Sequence, residues 1–218
     1  MRPVDKALFQ GNRVSYNPYG KAKDHLIEAL GDFCSYCERQ GMRSALAVEH
    51  IQDKNTYPQN EYDWVNLLLS CVNCNSIKAR KDITAALLPD RDNTFNAFTY
   101  LEGGLVQVNS GATAGVKLKA KALIDLVGLD RRPNRNGYSG SDDLWLKRKE
   151  NWELAQRYLI KYQNNECDIE TIKDLALSRG FWSVWMQLFS EFPEVQKELI
   201  HSFSGTQKAF FQQRLNHE

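Results

Sequence analysis

The 218-residue sequence has no long hydrophobic run, no low-complexity tract and no internal repeat. No apolar stretch approaches the roughly 18 residues that a membrane-spanning helix needs. The opening residues, Met1-Arg-Pro-Val-Asp-Lys6, lack the apolar segment of a secretory signal, so we expect a cytoplasmic protein. With 42% hydrophobic and 25% charged residues, the composition is that of a globular protein with a sizeable core.

The chain also lacks a net charge of either sign, because 28 basic and 27 acidic residues leave a formal charge of +1. Overall charge therefore provides no argument for nucleic-acid binding. Basic residues do cluster locally, and such clusters are more often solvated helix faces than binding patches. The clusters lie at 78–81, 117–121, 131–135 and 147–149.

Cysteine is scarce, and four of the five cysteines form two Cys-x-x-Cys pairs. The pairs are Cys34/Cys37 and Cys71/Cys74, whereas Cys167 stands apart. A cytoplasmic compartment keeps thiols reduced, which favours zinc over disulfides. Two matched pairs favour a structural tetrahedral zinc site over a redox role, and a zinc ion with four thiolate ligands performs no chemistry itself.

The segment between the pairs, 38–70, has 33 residues, more than the roughly 15–20 of a plain zinc ribbon. It therefore holds additional structure. Strand character at 45–51 and 65–70, followed by a helix from about Asn73 to Lys81, predicts a strand–loop–strand–helix unit. His50 is the reactive candidate in it, because imidazole titrates near neutrality and can take a proton from water. Considered alone, a single histidine is more often a structural hydrogen-bonding residue.

This segment resembles the HNH nuclease family, whose ββα-metal unit is often enclosed by a zinc knuckle. The resemblance implies an α+β fold in which His50 is the general base and Asn66 orients the hairpin and the base. It also implies that Glu49 and Asn75 bind a catalytic Mg²⁺ or Mn²⁺ ion and that Lys78 faces a phosphate or the helix end. The matching motifs are Cys34-Ser-Tyr-Cys37, Glu49-His50-Ile51, Asn66-Leu67 and Cys71-Val-Asn-Cys74-Asn75-Ser-Ile-Lys78.

Within that family, two runs resemble small bacterial nucleases that pair with an ATPase in Septu-type and retron-linked antiviral defence. The runs are Glu49-His50-Ile-Gln-Asp-Lys54 and Tyr62-Asp-Trp-Val-Asn66-Leu-Leu-Leu-Ser-Cys71, and only Asp53 departs, where proline is expected. The resemblance implies an endonuclease that cleaves DNA, with a PtuA-like ATPase subunit as partner.

Two alternatives to a DNA nuclease stay open at this stage. The substrate could be RNA, such as tRNA, and the zinc module could be a non-catalytic nucleic-acid or protein adaptor. An adaptor needs only the cysteines, so the joint presence of His50, Asn66 and Asn75 argues against it. The near-neutral charge leads us to expect that a partner supplies substrate affinity or access.

Beyond the nuclease-like segment, the patterns predict a β-hairpin and then helices. The hairpin joins 98–101 to 105–108. Glycines and capping residues predict the helix limits: Gly31 and Gly128 as stops, Ser141 and Asp168 as N-caps, and Pro193 as a first-turn residue. An apolar stripe of Trp145, Trp152, Ala155, Leu159 and Tyr162 marks the long helix. The aromatic residues of 145–192 are interpreted as core, with docking of a partner protein as the alternative.

The polar segment 131–140, rich in glycine, asparagine and proline, predicts the main domain boundary. We expect a nuclease domain with an N-terminal helix and the zinc site over 1–95. A β-hairpin and helix extension follows over 96–130. The helical C-terminal region, 131–218, is a candidate for binding the partner.

Overall fold

The structure, a computed structural model, describes residues 1–8, 15–135 and 138–216. Two small antiparallel sheets lie among helices in these residues, which confirms the predicted α+β class with a largely helical C-terminal part. The strands are β1 Leu46–His50, β2 Leu67–Cys71, β3 Phe98–Leu101 and β4 Leu105–Val108. The helices are α1 Ala22–Leu30, α2 Val72–Lys78, α3 Ala114–Val127, α4 Leu144–Gln163, α5 Ile169–Arg179, α6 Trp182–Leu188, α7 Pro193–Ser202 and α8 Gln212–Leu215.

Local capping chemistry fixes several helix ends as predicted. Gly31 follows α1, and Gly128 follows α3 in the left-handed conformation that glycine adopts without steric cost. The Asp168 carboxylate accepts a hydrogen bond from the Thr171 backbone N–H, 2.9 Å away, at the start of α5. Pro193 begins α7, where its missing N–H costs nothing.

The predicted N-cap of α4 was wrong. The helix begins at Leu144, and the Leu144 backbone N–H donates to Asp142 Oδ1 at 3.0 Å, so Asp142 rather than Ser141 satisfies the first turn. The Asp142 side chain also binds the guanidinium of Arg131. This second partner holds Asp142 in place, which the sequence pattern does not reveal.

The buried face of α4 is only partly apolar. It carries Arg148 and Asn151 together with Leu144 and Ala155, whereas the tryptophans of the predicted stripe are only half-buried. Arg148 is 2% exposed, and its guanidinium donates to the backbone carbonyl of Gly104 at 2.7 Å and to that of Leu129 at 3.1 Å. α4 therefore docks on the second hairpin through a buried cation as well as through apolar packing.

Contacts join the N-terminal part of the chain to the helical region. Gly180 pairs with Arg39 in an isolated β-bridge, and a Cβ at Gly180 would overlap the backbone of Glu38 and Gln40. The guanidinium of Arg2 donates to the Leu30 carbonyl at 2.9 Å and to the Ser204 carbonyl at 2.5 Å. One connected hydrophobic core runs through all three predicted ranges. The domain boundaries stay a prediction.

The described helices are too short or too polar to span a membrane. Among residues 1–8, 15–135 and 138–216, none of the helices combines the length and the apolar character needed to cross a bilayer. The hydrophobic side chains of this part of the chain are instead largely buried in the core.

Candidate active site and zinc centre

The first hairpin and the helix after it form a continuous ββα unit. β1 and β2 pair antiparallel, with Leu46 opposite Cys71 at one end and His50 opposite Leu67 at the other. α2 follows β2 without a linker, because Cys71 is its N-cap and the Cys71 thiol accepts from the Cys74 backbone N–H at 3.5 Å. The zinc ligands and the candidate base therefore lie at opposite ends of the hairpin, which α2 and the two strands hold as one unit.

The four paired cysteines converge as predicted. Their sulfur atoms all lie within 4.8 Å of one another, and the sulfurs of Cys37 and Cys71 are 3.9 Å apart. A tetrahedral zinc ion with Zn–S bonds of about 2.3 Å requires sulfurs about 3.8 Å apart. Four thiols at this spacing, three of them buried, fit a structural zinc ion. The distant Cys167 is not part of the set.

Arg131 connects the cysteine set to the helical region. The guanidinium of Arg131 binds the Asp142 carboxylate and lies 3.9 Å from the Cys74 sulfur. It also donates to the backbone carbonyls of Val127 at 3.0 Å and Gly128 at 2.8 Å. A buried cation beside four thiolates offsets part of their negative charge. The sequence pattern indicated a solvated basic cluster at 131–135, and no neighbouring residue indicates that the Arg131 side chain is buried.

The geometry of His50 suits a general base. Its Nε2 lies 2.9 Å from the backbone carbonyl oxygen of Glu61. Because a carbonyl only accepts hydrogen bonds, Nε2 carries the proton, and the neutral imidazole has Nδ1 available to accept one. The edge of the Tyr19 ring packs against the imidazole, with ring centroids 4.5 Å apart. Partial burial lowers the pKa of His50 below its ordinary value of 6.5, which keeps the imidazole neutral at pH 7.

Asn66 fastens the loop that positions this histidine. The Asn66 side chain is buried, and its Oδ1 accepts from the Gln52 backbone N–H at 2.8 Å. Its Nδ2 donates to the carbonyls of Gln52 and Asn60, each at 3.0 Å. One amide thus joins Gln52, two residues after β1, to the segment that carries Glu61, whose carbonyl binds His50. This geometry supports the orienting role expected for Asn66.

Glu49 and Lys78 pair with each other inside the fold, so their expected contacts with a metal ion and a phosphate stay predictions. Both side chains are 1% exposed, and the Lys78 ammonium lies 2.6 Å from Glu49 Oε1. The Tyr36 hydroxyl donates to Glu49 Oε2 at 2.8 Å, and the Lys78 ammonium also donates to the His50 carbonyl at 2.6 Å. Burial raises the pKa of Tyr36 well above its ordinary value, so its hydroxyl remains a donor.

The alternation of side chains along a β-strand explains this buried pair. Adjacent residues of a β-strand point to opposite faces of the sheet, so Glu49 faces the interior where His50 faces the loop side. A buried carboxylate requires a partner, and Lys78 supplies it. In this structure Lys78 therefore supports the strand that carries the base.

The Glu49–Lys78 pair leads to a stability prediction. Lys78→Met leaves the Glu49 carboxylate buried and unpaired, and we expect the free energy of unfolding in urea to fall by about 3–5 kcal/mol. The double variant Lys78→Met/Glu49→Gln removes that charge and should recover part of the loss. The exposed Lys119→Met is the matched control. A Lys78→Met protein as stable as the parent would show that the pair is not formed.

Asn75 lies on α2 and is partly exposed. Within the described residues, its side chain makes no hydrogen bond, while its backbone carbonyl accepts from the Ala79 N–H at 2.9 Å. The amide oxygen is therefore available to a ligand. Its expected co-ligand Glu49 is buried and paired with Lys78 and Tyr36, and the metal-ligand role of Glu49 stays a prediction.

Two residues near the base were missed by the sequence reasoning. Lys54 is 36% exposed, and its ammonium lies 4.4 Å from the centre of the Tyr19 ring and 3.5 Å from Glu61 Oε1. Tyr19 precedes α1 in a single 3₁₀ turn. Neither has a local motif that marks it, because only the folded loop brings 19, 50, 54 and 61 together.

Comparisons with known proteins agree with this geometry. The family model for HNH endonucleases matches residues 34–81, which begin at the first zinc-ligand cysteine and end just beyond α2. The chain is also 31% identical over 126 residues to the Septu protein PtuB of Bacillus thuringiensis. That alignment covers 57% of this chain and 46% of the relative, so the chain spans about half the length of the curated protein that it matches.

Proposed function

We propose that this chain, whose residues 34–81 form an HNH endonuclease domain, is the DNA-cleaving subunit of an ATPase–nuclease defence complex. One observation carries the nuclease assignment. Inside the matched segment, a neutral His50 is held by the Glu61 carbonyl with Nδ1 left to accept a proton. An adaptor would need the zinc site and not this arrangement.

In the proposed reaction, His50 Nδ1 takes a proton from a water molecule. The water oxygen forms a bond to phosphorus while one ester P–O bond breaks, and the departing oxygen leaves with the bonding electrons. Asn66 and Glu61 keep the imidazole oriented throughout. Orientation of this kind converts a flexible side chain into an efficient base.

A divalent ion, Mg²⁺ or Mn²⁺, is part of the proposal because a cation stabilises the charge that develops on the phosphate. Asn75 offers it a neutral oxygen, of the kind that these ions accept. Glu49 would join as a ligand only after Lys78 had left its carboxylate.

The complex with an ATPase subunit rests on two observations. The motifs from Glu49 to Cys71 resemble nucleases of such systems, and the chain is similar to a Septu protein. The formal charge of +1 also indicates weak independent affinity for phosphate backbones. A partner that binds the substrate and presents it to this chain would compensate for the weak affinity.

Cleavage assays on the chain alone and with a PtuA-like ATPase subunit test this function. We expect Mg²⁺- or Mn²⁺-dependent cutting of DNA that increases when the partner is present. Parallel assays on tRNA identify the substrate, and preferential RNA cleavage would replace the DNA assignment. No cleavage of either polymer by the complex, with nucleotide and either ion, would contradict the proposal.

A further inference from the structure

A cavity of about 380 Å³ lies between α4, the end of α5 and the loop after Cys37. None of the residues that line it belongs to β1, β2, α2 or the loop around His50. Its volume falls within the range of small-molecule sites. The cavity is therefore outside the site described above.

The wall of this cavity contains a buried amide with no partner. Asn151 is 3% exposed, and neither its Nδ2 nor its Oδ1 makes a hydrogen bond in the part of the chain that the structure describes. A buried amide left in this state is costly, so it indicates a ligand that supplies the missing bonds. Nδ2 needs a hydrogen-bond acceptor and Oδ1 needs a donor, so the ligand must present the two groups side by side.

The cavity also carries an excess of positive charge. Its acidic residues already have lysine partners: Glu150 lies 2.9 Å from Lys147 and Glu153 lies 3.4 Å from Lys149. Arg157 and Arg179 also line the cavity, and neither has a carboxylate within ion-pair distance among the described residues. Exposed guanidinium groups in such a cavity favour a phosphate, which they bind through paired N–H donors.

The apolar part of the wall comes from Leu154 and Phe181. Phe181 is only 2% exposed, in a left-handed conformation directly after Gly180. Its position is fixed by the close approach of Gly180 to the loop after Cys37, and the Phe181 N–H donates to the Glu38 carbonyl at 2.9 Å. This wall is therefore built before any ligand binds.

We propose that the cavity binds a nucleotide, with the base edge on Asn151 and the phosphate on Arg157 and Arg179. An asparagine amide pairs with the adjacent donor and acceptor of a nucleobase edge, and arginine recognises phosphate. The nucleotide could be a free molecule or one unit of a single-stranded nucleic acid. Both sources share this chemistry, and the assignment does not depend on the proposed cleavage reaction.

Calorimetric titration of the full chain tests the assignment. The probes are the four ribonucleoside 5′-monophosphates, their nucleosides, inorganic phosphate and a single-stranded decanucleotide. We expect at least one monophosphate to bind about tenfold or more tightly than phosphate or its nucleoside. Arg157→Gln and Arg179→Gln should each weaken it about tenfold, as should Asn151→Leu. Arg135→Gln, which removes a charge elsewhere, is the matched control and should bind normally.

Each outcome decides the assignment. A decanucleotide that binds through the same three residues, without monophosphate binding, supports the pocket as a site for a unit of a polymer. Binding of phosphate as tight as that of every nucleotide would overturn the base contact and with it the proposal. The absence of binding by every monophosphate and by the decanucleotide at millimolar concentration would also overturn the proposal. Binding that survives both arginine substitutions would do the same. The arginines are exposed, so those variants decide the question even if Asn151→Leu fails to fold. Binding is measured without cleavage, so a failed nuclease assay leaves this test intact.

Discussion

Replacing His50 with alanine is expected to lower the cleavage rate by about 10²- to 10⁴-fold while leaving the fold intact. The imidazole is half-buried and donates to the Glu61 carbonyl, so its loss removes the base without opening the core. Cleavage under saturating divalent ion, together with thermal unfolding, measures the two effects separately. His201→Ala, at the end of α7, is the matched control.

The pH dependence provides a second measurement of the same residue. Protonated imidazole cannot accept a proton, so activity falls as the pH drops through the pKa of His50. Partial burial lowers that pKa below 6.5, so the acid limb of the rate profile should lie below pH 6.5, with full activity at neutral pH. An acid limb well above pH 7 would contradict the environment seen around His50.

The adaptor hypothesis predicts the opposite result for the variant. A folded His50→Ala protein that protects cells as well as the parent, or that retains full cleavage, would remove His50 from the mechanism. The zinc module would then be the functional part of the segment. Loss of both cleavage and protection with normal thermal stability supports catalysis.

The second large effect concerns the four cysteines. Cys74→Ser is expected to abolish binding of one zinc ion per chain and to unfold the 34–81 segment. Zinc binding contributes about 10–16 kcal/mol in small zinc-finger peptides, which is comparable to the whole stability of many domains. Metal content and near-ultraviolet circular dichroism before and after chelation measure the two consequences. The short strands β1 and β2 cannot replace that free energy.

Cys167→Ser is the control for this experiment. Its thiol is half-buried and lies 3.7 Å from the Tyr158 carbonyl, away from the four-sulfur set. We expect normal zinc content and nearly normal stability for this variant. Zinc content unchanged by Cys74→Ser, or a melting temperature insensitive to chelation, would show that the thiols do not form a metal centre.

Some parts of the site could be predicted because their signals are local. The Cys-x-x-Cys spacing is a direct consequence of zinc geometry, and it identified all four sulfurs. The strand–strand–helix order likewise follows from short stretches of sequence. Capping of α5 by Asp168 is also local, because the carboxylate accepts from the backbone N–H of Thr171, three residues along the chain.

Other parts could not be predicted because the partners are distant in sequence. Glu49 and Lys78 were expected to contact a metal and a phosphate, yet they pair with each other, 29 residues apart, inside the fold. Arg131 was expected in a solvated cluster, but it lies beside Cys74 and Asp142. In each case burial, and not the residue type, decides what the charge does.

The paired cysteines and the strand–strand–helix order could be read from spacing within about forty residues, and the resemblance of that segment to a known family marked His50 as the candidate base. The tertiary fold alone fixed the direction in which each side chain points and the partner that it contacts. It turned Glu49 inward and placed Glu61 behind His50. It also brought Asn151 and Arg179 to one cavity. The physical reason is that a buried polar group must find a partner, and only the folded chain determines which partner is near.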